Sequence, residues 1–344
     1  MDGNHHSGCR DLPGASVEWE KSLNEVSSQN EAAGSERWQR FWRYPITQIV
    51  LYLLTLVAIV LALRYPILVL LKHFHLHTKG HPEIGDIVSE LCLAFSAVGA
   101  FLVMVKFNEK RSLASAGFAG RGLGPETLLG LLIGGGLFSL VMAITVLFGS
   151  FRILSINPHY AWIVPLVLFL AVAVFEETVF RGYLFRILEI RWGSGIALAG
   201  SAAVFGLIHL LNPVNGISTA EKLAGPIFIV FEGSILMTAG YLLTRRLWLP
   251  IGIHWGWNLF ENSIFGVSDS GEPAQPVYTL LHSRLIGPFA LTGGPFGPEA
   301  GVICFVIGTA AGLLLLRLAI RRGQWQPRPT VLLQSVTLNE GAIS

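Results

Sequence analysis

The chain has 344 residues, 52% of them hydrophobic and only 13% charged, where soluble proteins average about a quarter charged. Apolar runs of about twenty residues recur along it, each long enough to cross a bilayer, so the composition excludes an ordinary soluble domain and predicts an all-α, polytopic membrane protein. A net charge of +2 gives no basis for a nucleic-acid partner, and three distant cysteines (Cys9, Cys92, Cys304) exclude a disulfide framework or a cysteine-based zinc site.

Residues 1–38 are polar, rich in Gly, Ser, Asn and Glu, and predict a disordered tail without the apolar core of a cleavable signal peptide. Arg37, Arg40 and Arg43 then alternate with Trp38, Trp42 and Tyr44, an interfacial belt leading into a first span over Ile46–Leu63 that can extend to Leu71. His73, His75, His77 and His81 follow and read as an exposed loop rather than a metal site. The second span is Ile87–Val105, with Lys106, Lys110, Arg111 and Arg121 in the loop behind it. The third, Thr127–Phe148, carries Gly130-xxx-Gly134, a close-packing face for another helix. Further spans are expected over Trp162–Leu188, Ile196–Leu211, Leu223–Leu243, Leu249–Val267 and Gly301–Ile320, with a Pro- and Gly-rich loop before the last. About eight spans place both termini on one side. The basic clusters alternate with nearly uncharged loops, which puts those termini in the cytoplasm; Lys72 and Lys79 are the main exceptions.

Against this background Glu176, Glu177 and Arg181 stand out. A charge at the bilayer centre costs roughly 2.5–3.5 kcal/mol on insertion scales, so three together need partners, water or a task. Glu177 and Arg181, four residues apart, share a helix face and can pair. Glu176 points about 100° away, with no basic residue one turn along its own face, and is left for a cavity, where a desolvated carboxylate suits a general base. Phe205-xxx-His209 puts an imidazole near the end of the fifth span. His254-xxx-Asn258 lies on one face of the seventh, and Glu261 and Asn262 continue the stripe. Singly, each reads as well as helix–helix glue; together they offer a base, water or metal ligands, and neutral donors for an oxyanion. Glu232, in the sixth span with no motif around it, reads as structural. Neither HExxH nor GxSxG occurs.

The ordered triple Glu176-Glu177-xxx-Arg181, Phe205-xxx-His209 and His254-xxx-Asn258 resembles the CPBP (CAAX protease and bacteriocin-processing, or Abi) family of intramembrane proteases, which includes the type II CAAX prenyl endopeptidases. The resemblance implies an active site within the helix bundle and a protease core over 122–266. Around that core lie the tail (1–38), the first two spans with their basic loop (39–121), a long non-cytoplasmic loop (267–298) and the last span with a cytoplasmic tail (299–344). It implies that Glu176 activates water with help from His209, that His254 and Asn258 stabilise the oxyanion, and that Glu177, Arg181 and Phe205 support the site. The substrate would be a membrane-associated protein or peptide, lipidated or not, met at the bilayer of the cell membrane. The cofactor is open: Glu176, His209 and His254 could ligate a divalent metal such as zinc, but with two imidazoles and a poor ligand in Asn258 a metal-free route is preferred. The rival classes are a proton- or ion-coupled transporter and a catalytically silent scaffold or immunity protein. The protease reading requires convergence, yet counting ~1.5 Å per residue from the expected span edges places Glu176 and His254 roughly 10 Å deep and His209 near 20 Å.

Overall fold

A computed structural model describes residues 41–42, 44–73, 82–212, 214 and 216–328. The predicted N-terminal tail, His75, His77 and His81 of the histidine loop, and the chain beyond 328 lie outside the described residues. Helices α1 (Pro45–His73), α2 (Pro82–Val103) and α3 (Leu123–Leu147) come first, then strand β1 (Phe151–Ile156). Next are α4 (Ile163–Glu177) and α5 (Arg186–Ile208), joined by a π-helical stretch over Thr178–Phe185. Helices α6 (Thr219–Thr244) and α7 (Trp248–Asn258), strand β2 (Leu281–Leu285) and α8 (Val302–Arg321) complete the order. A second π-helical stretch, Leu259–Ile264, prolongs α7. The chain is thus an all-α membrane-type fold with one small antiparallel pair, β1 against β2, which the sequence reading took as loop.

Six stretches of the described chain are long and apolar enough to cross a membrane: Pro45–Ile67, Gly85–Asn108, Leu123–Leu147, Ile163–Leu211, Thr219–Thr244 and Val302–Arg321. The expectation of about eight divides them differently, for two local reasons. The fourth stretch is 49 residues, more than twice the ~20 one crossing needs. It contains the predicted fourth and fifth spans, separated at Gly193, whose φ of 78° and ψ of 168° break the helix. The predicted seventh span falls short because its helical turns stop at Ile264, before Gly266 (φ 65°) redirects the chain. The outward faces carry many exposed Leu, Ile, Val and Phe side chains, such as Leu54, Leu132 and Leu314, as a surface in contact with lipid does.

The glycine face of α3 finds its partner on α7. A Cβ on Gly130 would run into the Leu249 carbonyl and Ile253 amide, and one on Gly134 into the Ile253 carbonyl. In return, Gly252 and Gly256 of α7 meet the carbonyls of Thr127 and Leu131. Two small-xxx-small faces therefore pack backbone to backbone, which fixes the helix bearing His254 and Asn258. Overpacking costs about 1–3 kcal/mol even where side chains can adjust; here the obstacle is backbone. Gly134→Val is expected to lower stability by about 3 kcal/mol or more. Gly136→Ala, with nothing within 4 Å of its added carbon, should be neutral or stabilising by about 0.5–1 kcal/mol. Thermal unfolding of both variants in detergent measures the difference.

Ion pairs brace the end of the bundle where α5 reverses. Arg186 makes a two-pronged contact with Glu109 behind α2 (2.5 and 2.7 Å). Arg246, between α6 and α7, pairs with Glu126 at the start of α3. Arg245 reaches Glu189 (2.5 Å) and Gln324 just past α8. These arginines thus tie the loops at that end together.

Candidate functional site

The reversal at Gly193 sets the level of two site residues. The helix carrying Glu176 does not end at Leu188, as the sequence suggests, but runs on to the break. Glu176 then lies seventeen residues before Gly193, and His209 sixteen after it. In an antiparallel hairpin with arms so nearly equal, counting along the helices brings the two to similar levels. Contacts along the hairpin agree: Phe180 meets Phe205 edge-on with centroids 4.8 Å apart, and Leu188 lies beside Gly200.

Glu176, His209, His254 and Asn258 all line one partly open cavity of about 720 Å³, lined by α1, α2, α4, α5, α6, α7 and the loop after α7. The Glu176 side chain keeps 22% of its surface open, while Glu177 keeps none. The sequence-based division of the two acids therefore matches their surroundings: one faces the cavity, the other the protein interior. Trp255 holds α7 to α4 through a hydrogen bond from its indole to the Leu166 carbonyl (2.9 Å).

Glu177 is the junction of the buried network. Its Oε1 accepts from Arg181 (2.8 Å) and lies 2.9 Å from His254 Nδ1. An ionised carboxylate can only accept, so this bond places a proton on Nδ1. Nε2 is then turned toward Glu176, 3.7 Å from its Oε2. The link from Glu177 to His254 is absent from the sequence reading, which paired Glu177 with Arg181 alone. Arg181 is itself buried, lies over the Phe205 ring at 4.6 Å, and reaches the Gly233 and Ser234 carbonyls of α6. Phe205 also offers its carbonyl to His209 Nδ1 (2.7 Å) and its ring edge to the imidazole. With Nδ1–H donated to that carbonyl, neutral His209 presents an unprotonated Nε2.

Other polar residues reach the cavity without forming any motif. Asp86 and Glu90 of α2, Glu232 of α6, and Asp269, Glu272 and Glu299 beyond α7 all line it. Glu232, read from the sequence as structural, makes no hydrogen bond of normal geometry and has only the weak Cys304 thiol donor beside it. Its signal was the one already noted, an unexplained acid in an apolar run. Glu90 carries the same signal in the second span. Asp269 and Glu299 carried none, because they sit in an aperiodic segment. Burial, reinforced by the neighbouring Glu299 carboxylate, pushes the Asp269 carboxyl well above its usual range.

A shared metal requires ligand atoms that can surround one ion. Among the described residues, the three acidic or imidazole side chains whose ligand atoms lie within 4.8 Å of one another are Glu261, Asp269 and Glu299. Glu176, His209 and His254 are not among such groups, although each histidine keeps Nε2 available. These three, the residues a zinc site would draw on, all line one cavity.

Residues 158–260 match the family model described as Rce1-like, type II CAAX prenyl endopeptidase. The matched segment contains Glu176, Glu177, Arg181, Phe205, His209, His254 and Asn258, and ends before Glu261, Asp269 and Glu299. No curated protein and no solved structure matches the chain.

Proposed function

We propose that this membrane protein is an intramembrane endopeptidase that hydrolyses a peptide bond in a membrane-associated protein or peptide, lipidated substrates included. The observation that carries the reading is the partly open Glu176 carboxylate facing a cavity that His209, His254 and Asn258 also line. Water in that cavity would attack the peptide carbonyl carbon as Glu176 takes its proton, with His209 Nε2 as a second acceptor. The carbonyl π electrons move onto oxygen, giving an oxyanion that the Asn258 amide can bind. His254 can add a donor through Nε2–H when its imidazole carries both protons, with Nδ1–H held by Glu177. Collapse of the tetrahedral adduct breaks the C–N bond, and the leaving amine takes the proton from Glu176. Glu177, Arg181 and Phe205 act by position: they fix the two imidazoles and do not touch the substrate.

The sequence order of basic and uncharged loops supports cytoplasmic termini in the cell membrane, with the braced end of the bundle facing inward. The separated ligand atoms favour the metal-free route over zinc held by Glu176, His209 and His254.

The test uses purified protein in detergent or liposomes, a library of membrane-spanning peptides, and mass spectrometry of the products. Wild type is expected to cleave. Asn258→Ala is expected to be about 10²–10³-fold slower, the usual cost of one oxyanion donor, and His209→Ala about 10²–10⁴-fold slower, as for a lost acid–base group. Undiminished cleavage in both variants would refute the assignment. The acids that hydrolysis leaves idle, Glu90 and Glu232 among them, favour a second reading as a proton or ion path. That reading expects no cleavage, and ion flux in liposomes that depends on these acids.

A further inference from the structure

Beyond α7 the chain gathers a second polar group that hydrolysis does not use. Glu261 stands in the π-helical turns after α7, Asp269 in the following loop, and Glu299 just before α8. One carboxylate oxygen from each lies within 4.8 Å of the others, and the residues are 0%, 8% and 9% exposed. Three acids so close, and with so little surface exposed, need something positive between them.

Two further observations point to what that is. Neither carboxylate oxygen of Glu261 makes a hydrogen bond of normal geometry, the nearby Trp257 indole donating to Glu299 instead, although the side chain is wholly buried and one of its oxygens lies among those of the other two acids. Glu232 is a fourth buried acid, with only the weak Cys304 thiol donor beside it, close enough to Glu261 and Glu299 to interact electrostatically with both. Glu299, by contrast, is held in place: the Trp257 indole donates to one of its oxygens (3.1 Å) and the Ser270 hydroxyl to the other. Each of those oxygens still has a lone pair to give. Beside Glu261, Gly297 (φ 105°) passes the Ser268 backbone so closely that an added Cβ would overlap the Ser268 carbonyl.

We propose that Glu261, Asp269 and Glu299 form a binding site for a hard divalent cation, calcium by preference. The donor set is all oxygen, with neither imidazole nor thiolate, which selects against zinc and copper. Magnesium keeps most of its waters and takes one or two carboxylates, whereas calcium accepts several carboxylates in irregular geometry. A bound ion would tie the end of α7, the following loop and the entry to α8 to one point. The site lies outside the segment that matches the protease family, and its existence does not depend on the proteolytic reading.

The experiment uses the full chain purified in detergent and stripped with EDTA. Calcium chloride or magnesium chloride is titrated in by calorimetry, and thermal unfolding is followed with each salt. One calcium per chain is expected to bind, with a rise in Tm on calcium addition and a weaker response to magnesium. Glu261→Gln and Asp269→Asn should each lower calcium affinity at least tenfold and remove most of the rise, while still folding in EDTA. The alternative neutraliser is the proton. In that case the wild-type protein ignores both cations and the neutral variants match or exceed its stability in EDTA, which overturns the proposal. Tighter binding of magnesium than of calcium overturns the choice of ion. Binding and unfolding are read without any substrate, so failure here is distinct from failure to cleave peptides.

Discussion

Glu176→Gln is expected to reduce peptide cleavage by about 10²–10⁴-fold, the usual contribution of a positioned general base, and to leave thermal unfolding where it was. The amide keeps the size of the carboxylate and cannot accept water's proton. Its side chain is the partly open one of the pair, so neutralising it strands no buried charge. Glu177→Gln should behave differently. The amide oxygen can still accept from His254, but Arg181 then keeps its charge in the interior without an anion, and stability falls together with activity. Cleavage rates and unfolding curves for the two variants, measured side by side, separate the roles. A Glu177→Gln protein that folds normally but is inactive, beside an active Glu176→Gln protein, would reverse the assignment.

Arg181→Ala should be among the most destabilising single changes in the chain. Glu177 and Arg181 are 0% and 1% exposed in their side chains and 2.8 Å apart. Removing one member of a buried pair costs about 3–5 kcal/mol, because the other charge is left uncompensated. The same principle gives a sharper second outcome. Replacing both residues together, as Glu177→Leu with Arg181→Met, removes both charges and should recover much of the lost stability. It should not recover activity, since His254 Nδ1 loses the acceptor that orients the ring. Thermal unfolding in detergent and peptide cleavage, measured on the single and double variants, test both halves. If the double variant cleaves peptide, Glu177 does not orient His254.

Much of the site was legible because its chemistry breaks the pattern around it. An acid, an arginine or an imidazole in an apolar run is conspicuous, and helical spacing alone separates Glu176 from the Glu177–Arg181 face. The glycine spacing on α3 was legible in the same way, as a face of small residues at period four. Its partner face on α7, Gly252 and Gly256, was not read, because between helices only packing decides which faces meet. The contact of His254 with Glu177 is of that kind: it depends on the rotation of α7 against α4. Length and composition alone merge the fourth and fifth spans through Gly193 and pass over the short α7. Asp269 and Glu299 lie in a segment without periodicity, so nothing in their spacing announced that the fold brings them to Glu261.

The hairpin around Gly193 makes the interval between Glu176 and His209 a ruler folded in half. One residue added to either arm would slide its end by about 1.5 Å and swing the side chain by about 100° around the helix, out of register with the opposite mark. A residue added in the bend itself leaves each arm's own phase intact and only spaces the two halves. Chain length is therefore negotiable at the fold of the ruler and rigidly metered along its two limbs, although no residue of the bend comes near the cavity whose dimensions it sets.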